Sequence, residues 1–165
     1  MSDTVEVYLP RAKQPVLLDC QDFCDVWQTH HWNHRKDDSL FSTNGGKDIQ
    51  KNIASLILRP APPLMADHIN RNKFDNRRVN LRIATKAENS RNKGKTKTAC
   101  SSRFKGVCWD KDYHKWRSAI TVNYVKKFIG LFDDEISAAQ AYNDAALSHF
   151  GAFACLNDIS ERGAL

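Results

Sequence analysis

Apolar residues in the first third of the chain occur in short runs that predict strands and small helices. Val5 to Leu9 and Val16 to Leu18 are apolar stretches of strand length, and a short helix is predicted near residues 22–27. Residues 49–58 instead carry apolar side chains at helical spacing, after a polar turn at residues 44–46. Three prolines follow and end that helix: Pro60, Pro62 and Pro63.

A helix and a linker are predicted in the middle of the chain. The helix covers residues 84–92, because Thr85 and Glu88 have the spacing of a capping box, in which each side chain bonds the other's backbone amide. Residues 93–102 are basic and polar and show no apolar periodicity, so they are predicted to form a linker.

In the last third of the chain, apolar and polar residues first alternate as they do in strands, and apolar residues then occur at helical spacing. Three stretches rich in aromatic and β-branched residues predict an antiparallel meander: 104–109, 115–122 and 126–132. Residues 135–150 predict a helix that Asp133 or Asp134 caps. Its apolar face is predicted to contain Ile136, Ala139, Tyr142, Ala146 and Phe150.

Charge is distributed unevenly along the 165 residues. Residues 59–127 hold 18 basic and 5 acidic side chains, whereas the chain as a whole has a net charge of +6. A basic band of this kind is typical of a surface that meets a polyanion, most often nucleic acid, although a solvated basic face is the alternative. The five cysteines are an odd number and scattered, and no run of apolar residues is long enough for a membrane span. We therefore expect a soluble cytoplasmic protein.

Polar residues with defined spacing follow the three prolines. Asp67 and His68 are adjacent, Asn80 comes twelve residues after the histidine, and Asn89 nine residues later. Together with the interior words DNR and NLR, this pattern resembles the HNH, or ββα-metal, motif of phage-type homing endonucleases. The sequence departs from the family at Arg71, which occupies a turn position that is commonly glycine.

Phosphodiester hydrolysis explains why these residue types occur together. A neutral imidazole can take the proton of the attacking water, so His68 is predicted to be the general base. Asp67 and the amide oxygen of Asn89 are hard donors suited to Mg²⁺ or Mn²⁺, and are predicted to be the metal ligands. The resemblance implies that Asn80 braces the loop and so orients the histidine, and that the products carry a 5′ phosphate and a 3′ hydroxyl. The alternative for each residue alone is an ordinary cap or turn.

The last third carries a second resemblance. This region resembles the Apetala-two, or ethylene-response-factor, DNA-binding domain of plants. The resemblance rests on the motifs FKGV, KWRSAI, IGLFD and AAQAYNDAAL and on the closing LN. This implies a three-stranded sheet that lies in the major groove with one helix behind it. Strand alternation places Trp116 and Ile120 on one face and Arg117 and Thr121 on the other. The residues predicted to contact DNA are Arg103, Lys105, Trp109, Lys115, Arg117, Lys126 and Lys127.

Two candidate features have simpler alternatives. A tryptophan in a small sheet belongs to the core more often than to an interface, so Trp109 has a core role as its alternative. A pattern of two cysteines and two histidines between Cys20 and His34 suggests zinc, but the gap between the pairs is far shorter than in zinc fingers. The region instead resembles the N-terminal strands that precede the nuclease motif in the phage family.

The predicted protein is an α+β, metal-dependent endonuclease that nicks double-stranded DNA, acts as a monomer and does not bind membranes. Its fold would be a ββα-metal nuclease domain with N-terminal strands, followed by a three-stranded antiparallel sheet packed on one helix. The predicted segments are 1–92 for the nuclease domain, 93–102 for the linker, 103–158 for the DNA-binding domain and 159–165 for a tail. The alternative is a non-enzymatic DNA-binding protein with a decayed nuclease site.

Overall fold

The computed structural model of the chain divides into two units, Met1–Asn89 and Ser90–Leu165. The described residues are 3–10, 12–34, 40–42, 51–95 and 101–160. The predicted turn at 44–46, Cys100 and part of the predicted linker lie outside them. The structure agrees with the α+β prediction, because helices and small antiparallel sheets occur in both units.

The first unit begins with the predicted pair of strands. β1, Thr4–Val7, and β2, Val16–Asp19, form an antiparallel ribbon. A short helix, α1, Cys20–Asp22, leads into a π-helical turn at Phe23–Trp27, so the helix predicted near residues 22–27 is present.

A second small sheet has the strand order β3, Trp32–His34, then β4, Leu40–Ser42, then β5, Lys51–Asn52. Helix α2 follows at Ile53–Leu58, and the Asn52 side chain accepts a hydrogen bond from the amide of Ala54 at its start. The helix begins later than predicted because the two residues before it pair with β4.

The motif region consists of two strands and a helix. β6, Met65–His68, pairs antiparallel with β7, Leu81–Ala84, and α3 spans Lys86–Arg91. The capping box is confirmed: Thr85 Oγ1 accepts from the Glu88 amide at 3.2 Å, and Glu88 Oε2 accepts from the Thr85 amide at 2.8 Å. The core of this unit joins β2, α2 and the motif: Val16, Leu18, Val26, Trp27, Leu40, Ile53, Ala54, Ile57, Phe74 and Leu81.

The second unit has the predicted meander. β8, Val107–Asp110, β9, Lys115–Val122, and β10, Val125–Phe132, form one antiparallel sheet with β9 in the centre. Helix α4, Glu135–Phe150, follows. Of the two cap candidates, Asp134 caps this helix, accepting from the Ser137 amide at 2.7 Å, whereas Asp133 pairs with Lys115 at 2.9 Å.

Small residues allow α4 to lie close to the sheet. Ala138, Ala139, Tyr142 and Ala146 are buried against Val107 and Ile120 in two adjoining clusters. The predicted apolar face is wrong at one position, since Ile136 is 43% exposed. Ile136 lies in the first turn of α4 and faces away from the sheet. Ala138 and Ala139 contact the sheet instead.

Close packing also explains the glycine of the FKGV word. Gly106 has a φ of +78°, and an added Cβ would lie 2.1 Å from the Tyr142 ring and 2.7 Å from the carbonyl oxygen of Ala119. Neither contact leaves room for a side chain.

The closing LN word has a structural explanation. Asn157 bonds both the amide and the carbonyl of Lys105, and Asn143 on α4 bonds both the amide and the carbonyl of Asn157. These four hydrogen bonds tie the end of the domain to its first residues. No helix in the described part of the chain is long and apolar enough to cross a membrane.

Candidate active site

The predicted catalytic residues lie on the ribbon of β6 and β7. Asp67 is opposite Arg82, and His68 is opposite Leu81, as the last residue of β6. Successive side chains of a strand leave opposite faces, so Asp67 and His68 project to the two sides of the strand end. Just beyond it, the amide of Arg71 bonds the His68 carbonyl at 3.0 Å, and Arg71 has a φ of +65°. That left-handed conformation explains why the family commonly has glycine there.

Asn80 connects the two ends of the loop between the strands. Its Oδ1 accepts from the amide of Asn70 at 2.9 Å, and its Nδ2 donates to the carbonyl of Asp75 at 2.7 Å. The side chain is buried, with 6% exposure. These two bonds have the geometry that the predicted brace requires, and they act on the loop that begins directly after His68.

An ion pair stiffens the same loop. The carboxylate of Asp75 accepts from Arg77 at 2.7 and 2.8 Å and from the Asn70 side chain at 3.0 Å. The hydrogen bonds and positive charge of Arg77 lower the pKa of Asp75 below its ordinary value. The carboxylate therefore stays charged and the loop stays tied at neutral pH.

The N-terminal strands support this loop from outside the motif. The amide of Leu17 on β2 donates to the carbonyl of Phe74 at 2.8 Å, and the amide of Asn76 donates to the carbonyl of Leu17 at 2.9 Å. A bidentate ion pair joins Arg78 to the buried Asp22, with both contacts at 2.8 Å. These contacts could not be predicted from the sequence, because the partners are more than 50 residues apart and no local pattern marks them.

His68 is half-buried and has one ring nitrogen in a described hydrogen bond. Its Nε2 lies 3.0 Å from Oδ1 of Asn76. Burial lowers the pKa of His68 below its ordinary value, although the bond to Asn76 and the nearby carboxylates of Asp67 and Asp75 act in the opposite direction. The ring is therefore largely neutral near pH 7, which is the form that can take a proton.

Asp67 and Asn89 are the two predicted metal ligands. Asp67 is buried at 5% exposure, and its Oδ2 accepts from Nε of Arg82 at 2.9 Å and from Nη2 at 2.8 Å. Asn89 on α3 donates from Nδ2 to the sulfur of Met65 at 3.0 Å, so its amide oxygen points away from the sulfur. Met65 precedes Asp67 by two residues and shares its side of β6.

These two side chains fit a hard divalent cation. A carboxylate and an amide oxygen from neighbouring elements are the kind of small ligand set that Mg²⁺ uses, because it keeps several waters. The described residues contain no group of three or more His, Cys, Asp or Glu side chains that could hold an ion. One of the two predicted ligands is the amide oxygen of Asn89, so this site does not require such a group.

Three of the seven predicted DNA-contacting residues share the open face of the sheet that β8, β9 and β10 form. Alternation places Lys115 and Arg117 on the same side of β9, and Lys126 pairs with Thr121 on that side. The guanidinium of Arg117 lies 5.6 Å from the ring centroid of Phe128. Its Nε is buried and has no hydrogen-bond partner among the described residues.

Two others lie on the opposite face, contrary to the predicted grouping. Trp109 pairs with Trp116, and their rings meet edge to face at 5.2 Å. Lys127 pairs with Ile120, a core residue. Directly opposed residues share a face, so the register places both on the side that α4 covers. Trp109 itself is 37% exposed and is not among the buried core residues, so it lies on this face beside the core.

The remaining two precede the sheet. Arg103 is exposed and stacks over Phe104 at 4.7 Å. The ammonium of Lys105 donates to the carbonyls of Arg91 and Lys93 at 2.9 and 2.6 Å. It is therefore engaged with the end of α3, which the sequence could not reveal.

Comparison with known proteins identifies the motif region. The family model described as HNH endonuclease matches residues 62–91, which contain all four predicted catalytic and metal-binding residues. A protein of Acanthamoeba polyphaga mimivirus, named as an uncharacterized HNH endonuclease, is 34% identical over 154 residues, covering 92% of this chain and 79% of its own. No solved structure matches. On this likeness over most of both sequences, the chain belongs to the HNH endonuclease family and is a nuclease.

Proposed function

We propose that the chain is a metal-dependent endonuclease that nicks double-stranded DNA at specific sites. The observation that carries the proposal is a half-buried His68 whose ring contacts Asn76, at the end of a strand that also holds the buried Asp67. The Asn80 bonds hold the loop beyond it. A general base and a carboxylate next to each other are what phosphodiester hydrolysis needs.

Each residue of the site has a separate task in this mechanism. His68 takes the proton of the attacking water, while Asn80 keeps the loop, and with it the ring, in place. Asp67 and Asn89 would hold Mg²⁺ or Mn²⁺. When bound, the ion supplies positive charge for the phosphorane oxygens and the departing 3′ oxygen. Arg82 orients the carboxylate of Asp67 through two bonds to one of its oxygens.

A nicking assay tests the proposal. Purified protein with Mg²⁺ is expected to convert supercoiled plasmid to the open circle, because one chain has one predicted site and cuts one strand per visit. The ends should carry a 5′ phosphate and a 3′ hydroxyl, which ligase seals without other treatment. Plasmid that stays supercoiled with either Mg²⁺ or Mn²⁺ would contradict the proposal.

We also propose that the second unit contains an Apetala-two-like module that finds the DNA site. A three-stranded antiparallel sheet with one helix on its back supports this, together with the basic open face of Lys115, Arg117 and Lys126. Arg117 is suited to DNA contact, because its side chain is 41% exposed and its guanidinium stacks on Phe128. The monomer remains the proposed form.

Binding measured against salt concentration tests this surface. We expect Arg117→Ala with Lys126→Ala to weaken DNA binding and to reduce the slope of log K against log salt by about two, because two phosphate contacts are lost. The matched control removes the same charge at Lys13 and Lys111, two exposed lysines outside the proposed surface. An unchanged slope in the first variant, or an equal loss in the control, would remove the face from the binding surface.

A further inference from the structure

We propose that Asn76 is a positioning residue that sets the tautomer of His68, so that Nδ1 is the nitrogen that takes the proton of the attacking water. This inference rests on the proposed nuclease function. Asn76 is the middle residue of the DNR motif, and the sequence alone assigns it no role.

The orientation of the Asn76 amide determines which atom meets the ring. Its Nδ2 donates to the carbonyl of Lys73 at 3.0 Å, and its Oδ1 lies 3.0 Å from Nε2 of His68. Rotating the amide by half a turn would set two oxygens against each other at Lys73, which is unfavourable. The oxygen therefore faces the imidazole.

An amide oxygen only accepts hydrogen bonds, so Nε2 of His68 must be the donor. A neutral imidazole carries one ring hydrogen, and placing it on Nε2 leaves Nδ1 with the lone pair. The bond to Asn76 thus selects one of two tautomers that have similar energy in water. It also holds the ring plane, since the direction of the N–H bond lies in that plane.

The Asn76 side chain is held as rigidly as a positioning residue should be. It is fully buried, at 0% exposure, and its backbone amide donates to the carbonyl of Leu17 on β2. The residues on either side of Leu17, Val16 and Leu18, are also fully buried. The N-terminal ribbon therefore reaches His68 through Asn76, which gives those strands a part in the active site.

The direct test measures the ring nitrogens and requires neither DNA nor metal. Two-bond ¹H–¹⁵N correlation spectra of histidine-labelled protein, in alkaline buffer where the ring is neutral, distinguish the two tautomers. His68→Gln identifies the signal among the six histidines. We expect Nε2–H in the wild type and in Asn76→Asp, which keeps an acceptor oxygen. We expect a mixture of tautomers in Asn76→Leu, which has similar size and no acceptor.

A kinetic test separates positioning from folding. At saturating DNA, Asn76→Leu is expected to lower the single-turnover cleavage rate by about 10- to 100-fold, with DNA affinity unchanged. Asn76→Asp should recover part of that loss. The matched control is Asn52→Ala, which removes the N-cap of α2 in the same unit and lies outside the loop that follows His68. It should lose unfolding temperature but keep its rate.

Several outcomes would overturn the proposal: an Nδ1–H ring in the wild type, or an Asn76→Leu variant with an unchanged tautomer and rate. If Asn76→Leu does not fold, the wild-type and Asn76→Asp spectra still decide. Failure of the proposed function is distinguishable, because a wild type without nuclease activity would still show its ring tautomer.

Discussion

Replacing His68 by alanine is expected to lower the rate of strand cleavage by about 10²- to 10⁴-fold, the range that a general base contributes. The ring is half-buried and bonds Asn76, and the described contacts give it no part in the core of either unit. Its loss should therefore remove proton transfer and leave the fold and DNA affinity in place.

The rate is measured by single-turnover cleavage of intact double-stranded DNA at saturating protein, so that product release does not contribute. His149→Ala is the matched control, because His149 is exposed on α4, in the other unit. It should cleave like the wild type. A His68→Ala protein that cleaves at the wild-type rate would remove the histidine from the mechanism, whatever else the protein does.

Asp67→Asn is expected to raise the Mg²⁺ concentration needed for half-maximal cleavage by at least about tenfold, because an amide is a weaker ligand than a carboxylate for a hard cation. Alanine would be a poor choice at this position. It would leave the guanidinium of Arg82, only 14% exposed, without the carboxylate that it bonds. Asparagine keeps an oxygen for that bond and removes the charge.

Two measurements check this prediction. The cleavage rate is titrated with Mg²⁺, and Mn²⁺ binding is followed by electron paramagnetic resonance in the absence of DNA. Chelation of divalent ions should stop cleavage by the wild type. Asp25→Asn is the control, because Asp25 is an exposed carboxylate that bonds Gln21 on the same helical segment. Equal Mn²⁺ affinity in Asp67→Asn and the wild type would exclude Asp67 as a ligand.

The sequence predicted best those features that depend on neighbours along the chain. The capping box of Thr85 and Glu88 spans three residues, and both of its hydrogen bonds are present. The N-cap of α4 at Asp134 follows from an equally local rule. The two bonds of Asn80 are also local, since they lie within a twelve-residue loop, whereas its role as a brace stays a prediction.

The features that it missed depend on which strands and loops meet. Alternation along one strand cannot tell which partner lies opposite, so Trp109 was grouped with Arg117 until the register paired it with Trp116. The bond of Lys105 to the end of α3 and the ion pair of Asp22 with Arg78 join distant segments. Asn76 is the most important of the missed residues, because its proposed positioning role depends on its burial between His68 and β2.

A crystal grown with Mn²⁺, in which anomalous scattering locates the ion, tests the proposed catalytic centre most directly. One ion bound by the carboxylate of Asp67 and the amide oxygen of Asn89 is the predicted result. An ion bound elsewhere, or these two oxygens too far apart to share one, would contradict the proposed mechanism.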